Sequence, residues 1–246
     1  MPGLGTIINF AAIVAGGLLG LCFAKGLSKR FQTIITIACG LSVLFMSIGD
    51  VLSHMISVDG TRIVSKGAFT IIISLVLGSI TGELLNIDRL LNNFGIYLKK
   101  KSGNENEAGF VNGFVTASLT VCIGAMAIIG AIRDGLYGDY SILIAKSILD
   151  FVIIVVMTSS MGIGCMFSAV PVAIFQGAFT ALGFVIEPIL TENSVNSISL
   201  VGSILIFCVG ANLILLETES RFRFNVANML PAIVFSVICS YLPFLE

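Results

Sequence analysis

Apolar runs long enough to cross a bilayer recur along the whole chain, with short polar segments between them. A helix crosses the hydrocarbon core in about 20 residues. On that criterion the pattern predicts eight spanning helices, at residues 7–24, 34–54, 68–85, 110–132, 141–161, 170–190, 198–216 and 225–245. The predicted fold is therefore an all-α, polytopic membrane protein, with residues 1–246 forming a single integral membrane domain.

The boundary between the fifth and sixth spans is the least distinct. Gly162, Gly164 and Pro171 interrupt the apolar pattern, but almost no polar residue separates the two helices. Residues 162–171 are expected to form either a tight turn or a partly unwound segment within the membrane.

Residues 86–101 follow a different pattern, because apolar and polar positions alternate with helical spacing. The apolar residues include Ile87, Leu91, Phe94 and Leu98, and three lysines close the segment. This pattern predicts an amphipathic helix on the cytoplasmic membrane surface, with its lysines near anionic headgroups. A solvated connector remains the alternative. Residues 102–107 are polar and predict a flexible linker.

The composition agrees with a membrane protein: 57% of the residues are hydrophobic and 11% are charged. Soluble domains carry roughly twice that fraction of charge. A net charge of −1 argues against nucleic acid as a partner. The six cysteines lie in or beside apolar segments without CxxC or metal-ligand spacing, which predicts reduced, structural thiols. No cofactor is expected and no metal is assigned.

The positions of lysine and arginine predict the orientation. The first span lacks a basic leader and a cleavage site, so it is expected to be retained. With eight spans and both termini outside, nine basic residues are cytoplasmic and three are external, as the positive-inside rule requires. The nine are Lys25, Lys29, Arg30, Arg89, Lys99, Lys100, Lys101, Arg221 and Arg223, and the three are Arg62, Lys66 and Arg133.

The two ends of the chain resemble each other weakly. Residues 42–49 match residues 203–210 at an offset of 161, with Asn212 one position beyond the counterpart of Asp50, and the same offset places Gly16 on Gly177 and Phe23 on Phe184. Spans one to three would then correspond to spans six to eight with opposite orientation. Such inverted repeats are typical of transporters, whose substrate sites lie near mid-membrane between the repeats.

Lys146 and Asp150 stand four residues apart inside an otherwise apolar span. One helical turn places both side chains on the same face, within reach of a salt bridge. Asp150 lies roughly 13 Å inside its helix at 1.5 Å per residue, close to the membrane midplane. Charges at this depth normally face the protein interior or a hydrated cavity. The pair is either part of a transport path or a neutral pin between helices.

Neutral polar side chains within other spans could complete a site. Asn112, Thr116 and Thr120 form a stripe on the fourth span, and Gln176 and Asn212 lie on the sixth and seventh. Oxygen atoms of these types are the hard ligands that alkali cations accept. The predicted ion- or substrate-binding residues are Asp150, Lys146, Asn112, Thr116, Gln176 and Asn212.

Several segments resemble a known family. They are Ser141-Ile-Leu-Ile-Ala-Lys146-Ser-Ile-Leu-Asp150-Phe, Asn228-Met-Leu-Pro-Ala232, the opening Ile8-Asn9, residues 15–20 and the pair Gly82-Glu83. They are similar to segments of the YqgA/YdfK-like family of bacterial inner-membrane proteins, over nearly the whole chain. The resemblance implies a location in the inner membrane. That family has no established activity and has been labelled a candidate sodium channel or pump.

Other functional classes lack their motifs. The chain contains no GxxxxGK[ST], HExxH or GxSxG, and His54 is its only histidine. It is therefore expected not to be an enzyme. We predict a small-ion transporter or channel, with sodium or a proton favoured over anions; the alternative is a scaffolding protein whose polar residues only pack helices. The expected partners are the lipid bilayer and a small ion or small molecule, and a homo-oligomer is left open.

Overall fold

The computed structural model describes residues 2–24, 28–59, 62–216 and 222–242, which form a helical bundle with one β-hairpin. Its helices are α1 (Leu4–Ala24), α2 (Lys29–Met55), α3 (Ala68–Leu85), α4 (Ile87–Lys101), α5 (Phe110–Cys122), α6 (Ala125–Tyr137), α7 (Ser141–Met161), α8 (Ala169–Ile186), α9 (Glu192–Leu216), α10 (Val226–Met229) and α11 (Ala232–Cys239). Two 3₁₀ helices, Ile163–Ser168 and Glu187–Ile189, flank α8.

The predicted class of an all-α polytopic membrane protein is confirmed. In the described part of the chain, six helical segments are long and apolar enough to cross a membrane, and a bent pair, α5 and α6, passes the same test when taken together. A shorter apolar stretch, Val226–Cys239, lies where the eighth span was predicted. The sides of the bundle expose large apolar residues such as Phe45, Leu84 and Phe184, as expected for a surface that contacts lipid.

The predicted fourth span is broken in the middle. Helix α5 ends at Cys122, α6 begins at Ala125, and their axes differ by 64°. Gly124 sits at the break with φ 133° and ψ 151°, a conformation that residues with a Cβ rarely adopt. The continuous apolar pattern conceals this break, because hydrophobicity continues on both sides of it.

The uncertain segment 162–171 is also resolved. Gly162 ends α7, and the 3₁₀ helix Ile163–Ser168 leads directly into α8. This turn packs against the first turn of α5, where a Cβ on Gly164 would overlap the carbonyl oxygen of Phe110. The segment is therefore a compact helical connection.

The sequence prediction did not include the hairpin. Strands β1 (Ile56–Asp59) and β2 (Arg62–Ser65) pair antiparallel, with Ile56 opposite Ser65. The sequence between the paired residues Asp59 and Arg62 is Gly60-Thr61, and glycine in the first place of a two-residue connection is a common hairpin signal. The end of the bundle that bears this hairpin is called the hairpin end below, and the opposite one the α4 end.

Close helix contacts set the positions of the elements. Helix α1 packs along α7, α2 along α9, and α3 along α11. Helix α5 lies at the centre, and nine of its residues are buried. The largest core cluster joins α5 to α1, α7 and α8 through Val121, Ile13, Ile154 and Val172.

One close approach suggests a stability test. A Cβ on Gly82 of α3 would overlap the carbonyl oxygen of Asn228, whereas nothing lies within 4 Å of a Cβ built on Gly49 of α2. We expect Gly82→Ala to lower the free energy of unfolding by about 1–3 kcal/mol, the usual cost of overpacking. Gly49→Ala should stay within about 1 kcal/mol of the parent protein. Thermal unfolding in detergent measures both. Equal stability of the two variants would contradict this packing.

Candidate functional site

Lys146 and Asp150 form a buried ion pair. The Nζ of Lys146 lies 2.6 Å from Oδ2 of Asp150, and the two side chains are only 8% and 5% exposed. The contact follows from the four-residue spacing on α7, as the sequence predicted. At this separation, in a surrounding of low polarity, neither charge is stable without the other.

Two groups from other helices complete the pair. Lys146 Nζ also donates to the carbonyl oxygen of Val121 at 2.7 Å, and Asn9 Nδ2 donates to Asp150 Oδ2 at 3.0 Å. Val121 belongs to the last turn of α5, where carbonyl groups lack partners within the helix. The break before Gly124 therefore supplies a negative helix end to the ammonium group.

A cavity of about 500 Å³ reaches the pair from the hairpin end, and we call it the hairpin-side cavity. Lys146, Asp150 and Thr120 line it, together with Asp50 and His54 from the end of α2. The hydroxyl of Ser203 on α9 donates to the carboxylate of Asp50. His54 Nδ1 lies 3.6 Å from the Asp50 carboxylate. The cavity thus contains a shallower acid as well as the deep pair.

A second cavity of about 500 Å³ lies at the α4 end, and we call it the α4-side cavity. Its lining is more polar, and includes Asp88 and Asn92 of α4 and Arg223. Asn112 and Thr116 of α5 and Asn212 of α9 also line this cavity.

The linings of the two cavities come within one helical turn of each other. On α5, Leu119 lines the α4-side cavity and the adjacent Thr120 the hairpin-side one; on α9, Val209 and Ile206, three residues apart, do the same. A buried apolar cluster borders both cavities, and we call it the barrier: Leu119, Ile123, Leu205, Cys208, Val209, Val226 and Ala227.

The six predicted site residues do not surround one point. Lys146 and Asp150 lie together in the hairpin-side cavity, whereas Asn112, Thr116 and Asn212 line the α4-side cavity. Both ends of the Asn212 amide bond the backbone of Phe224, at 2.8 and 2.9 Å. Gln176 lines neither cavity and is fully buried.

Gln176 is connected to the same apolar core as the ion pair. Asn9, Asp150 and Gln176 each lie four residues from a member of the largest core cluster, namely Ile13, Ile154 and Val172. In each case the step points toward the hairpin end, because α8 runs antiparallel to α1 and α7. Asn9 bonds Asp150 directly, whereas Gln176 lies on α8, which packs against α1.

Some buried polar atoms have no partner in the protein. Among the described residues, these include Asn9 Oδ1 and both amide atoms of Gln176. Such orphaned buried groups normally bind water or an ion. Because Asn9 also donates to Asp150, its Oδ1 is an unsatisfied oxygen close to the ion pair.

Sequence analysis missed two contributors to the site, Asn9 and the Val121 carbonyl, and one buried acid outside it, Asp134. Asn9 was noted only as part of a family motif, although a lone amide within an apolar run is itself a signal. The Val121 carbonyl could not be found, because the helix break exposes it. Asp134 on α6 is fully buried and accepts a hydrogen bond from the backbone N–H of Gly5 at 2.9 Å, which anchors the start of α1.

Two of the family-like segments meet at the α4 end. Asn228 Nδ2 donates to Glu83 at 2.7 Å, and Asn228 Oδ1 accepts from the backbone N–H of Asp88 at 2.7 Å. The same asparagine therefore joins the α3–α4 connection to α10. No cluster of three or more His, Cys, Asp or Glu side chains suited to a metal ion occurs among the residues that the structure describes.

Comparison with known proteins identifies the family. The chain is 28% identical over 230 residues to "Uncharacterized membrane protein YdfK" of Bacillus subtilis (strain 168), covering 94% of this chain and 92% of the relative. It is also 28% identical over 243 residues to "Uncharacterized protein YqgA" of Escherichia coli (strain K12), covering 95% and 94%. No solved structure matches it. Residues 4–241 match the family described as "Protein of unknown function (DUF554)". The expected resemblance is thus confirmed, and this multi-pass membrane protein belongs to the DUF554 family.

Proposed function

We propose that this protein transports a small cation, sodium or a proton, across the membrane. The observation that carries the proposal is the pair of cavities, one from each end of the bundle, whose linings come within one helical turn of each other at the barrier. The deep charge pair lines one of them. A transporter needs access from both sides and a closed barrier in each state, and intramembrane charges commonly mark such paths.

Lys146 would act as a tethered cation within the site. Its ammonium group contacts the Asp150 carboxylate and the Val121 carbonyl. Asn9, which bonds Asp150, has an Oδ1 atom that is buried and unpaired. Carboxylate, carbonyl and amide oxygens are also ligands for a hard metal cation. An arriving cation would displace the ammonium, or Lys146 would lose its proton, so that occupancy changes the contact between α7 and the end of α5.

The proposed membrane topology has eight spans with both termini outside. The broken pair α5–α6 then counts as one span, and the stretch from Val226 to Cys239 as the eighth. The hairpin end would face outward, and the α4 end would face the cytoplasm. The excess of basic residues on the cytoplasmic side supports this orientation.

Inverted repeats belong to the same proposal. The offset of 161 pairs spans one, two and three with six, seven and eight. The corresponding helices pack against one another: α1 against α8, α2 along α9, and α3 along α11. Helices α5 to α7, which carry the ion pair, would lie between the two repeats.

A scaffolding role is the second candidate, and one observation favours it. The ammonium and the carboxylate satisfy each other and take further hydrogen bonds from Val121 and Asn9, so the pair could be a fixed pin between α1, α5 and α7. Buried polar contacts of this kind are common between membrane helices. Under either proposal the protein is not an enzyme.

Removal of the Lys146 and Asp150 charges distinguishes the transport role from the scaffolding role. Asp150→Asn should lower sodium flux in proteoliposomes at least about tenfold, because a loss of about 1.4 kcal/mol in ion binding already gives that factor. The double variant Lys146→Met/Asp150→Leu should remain folded and inactive, since both the buried charges and the ligand are gone. Flux and thermal stability are measured on the same preparations, across cations and pH gradients.

Asp134→Asn is the matched control, because it neutralises a buried aspartate that lines none of the described cavities. It should change stability without a selective loss of flux. Normal flux in the double Lys146/Asp150 variant would rule out the transport site and leave the pair as a pin.

Cysteine labelling tests the topology. In a background cleared of the six native cysteines, Lys66→Cys should react with a membrane-impermeant maleimide in intact cells, whereas Lys100→Cys should react only after permeabilisation. Both positions are exposed in the structure, so access depends on the side of the membrane. Strong labelling at position 100 in intact cells would contradict the eight-span topology.

A further inference from the structure

Helix α4 presents an apolar and basic surface that no other part of the described bundle covers. Leu90, Ile96 and Tyr97 are 63%, 43% and 54% exposed. Lys99, Lys100 and Lys101 follow directly in the last turn. Exposed apolar side chains beside a cluster of lysines are characteristic of helices that lie in the membrane interface.

The lysines keep their positive charge available. In the described part of the chain, none of the three forms an ion pair with a carboxylate. Lys101 instead lies 5.6 Å from the centre of the Tyr97 ring and donates to its hydroxyl at 3.2 Å. The nearby acids Glu105 and Glu107 are exposed. The lysines also complement the helix dipole, which is their minimal structural role.

The other face of α4 contacts the centre of the bundle. Gly95 is buried against Phe114 of α5, and the Phe94 and Phe114 rings meet edge to face with centroids 5.9 Å apart. Phe114 and Val121 lie seven residues apart on the same helix, roughly 10 Å at 1.5 Å per residue. A single rigid helix thus connects the α4 contact to the carbonyl that Lys146 binds.

Helix α4 also touches the barrier. The backbone N–H of Asp88 donates to Asn228 of α10, and the preceding residues Val226 and Ala227 belong to the barrier. Asp88 and Asn92 line the α4-side cavity. Movement of α4 would therefore affect both the mouth of that cavity and the apolar layer beneath it.

We propose that α4 binds anionic phospholipid headgroups through Lys99 and Lys100, and that this binding holds α5 in the position that supports transport. The regulatory step rests on the transport function proposed above, whereas headgroup binding stands independently of it. The ligand chemistry is a phosphate-bearing lipid at the cytoplasmic surface, with the apolar side chains of α4 inserted beside it. Each basic residue near such a surface strengthens binding about fivefold.

Headgroup binding can be measured without transport. The chain contains no tryptophan, so Ile96→Trp provides a single fluorescent reporter on the exposed side of α4. In liposomes of phosphatidylcholine and phosphatidylglycerol, brominated phosphatidylglycerol should quench it more strongly than brominated phosphatidylcholine. Lys99→Gln/Lys100→Gln should weaken that preference by about 25-fold, from the product of two fivefold factors.

The matched control is Lys29→Gln/Arg30→Gln, which removes two exposed charges from α2 at the same end of the bundle. The Lys101–Tyr97 contact stays intact in both double variants. The control should retain the preference for phosphatidylglycerol. No preference in the parent reporter, or an equal loss in the control, would overturn the headgroup site.

The regulatory step is tested by flux in the same liposomes. Flux should fall at least about threefold when phosphatidylglycerol is omitted or when Lys99 and Lys100 are replaced. Each of these charges strengthens headgroup binding about fivefold, so its loss should release α4 in most molecules. Phe94→Ala keeps the lysines but removes the ring contact with Phe114, so lipid preference should persist while flux no longer depends on lipid charge. Measurable flux that is insensitive to phosphatidylglycerol in the parent protein overturns the regulation. Absence of flux in every lipid contradicts the transport function, while quenching still decides headgroup binding.

Discussion

The structure is organised around one electrostatic constraint: a lysine and an aspartate are buried in a membrane helix and must neutralise each other there. Their 2.6 Å contact meets that requirement. Without other partners, however, the ion pair would leave further donors and acceptors unsatisfied, each at a cost of about 1–3 kcal/mol. Asn9 and the Val121 carbonyl supply the missing partners. Helices α1, α5 and α7 are thus positioned by the polar centre as well as by the apolar core.

The helix break follows from the same constraint. An unbroken helix would use the Val121 carbonyl internally, so the ammonium can bind it only because α5 ends at Cys122 and the chain turns at Gly124. Ending a helix in the centre of the bundle also prevents close packing on its hairpin side. The hairpin-side cavity lies at this place, beyond Thr120 and beside the first residues of α6. The helix break therefore serves two purposes: it supplies a carbonyl group to the buried ammonium, and it leaves the space that forms the hairpin-side cavity.

Contacts within one helix could be predicted from the sequence, whereas contacts between distant segments could not. The spacing of Lys146 and Asp150 predicted their contact, and the pattern at 86–101 predicted α4 close to its observed bounds, because both depend on helical periodicity alone. The break at Gly124 escaped notice, since it is one of 26 glycines within a continuous apolar run. The partners of the pair escaped for a different reason: Asn9 lies 141 residues from Asp150 along the chain. Asn212, a predicted site residue, lines the α4-side cavity, and its amide also bonds the Phe224 backbone, a contact for which the sequence holds no signal.

The proposed transport site depends on an oxygen atom that a pin would not need. Asn9 donates to Asp150, and its Oδ1 is buried without a partner among the described residues. If the ammonium leaves the carboxylate, the desolvation penalty of an uncompensated charge reaches several kcal/mol, which exceeds the roughly 1 kcal/mol net of a typical hydrogen bond. In the proposed transporter, a second cation would therefore enter, or a proton would move, before Lys146 releases Asp150. That linkage connects occupancy of the site to the contact between α7 and the end of α5, and α5 is the helix that borders both cavities.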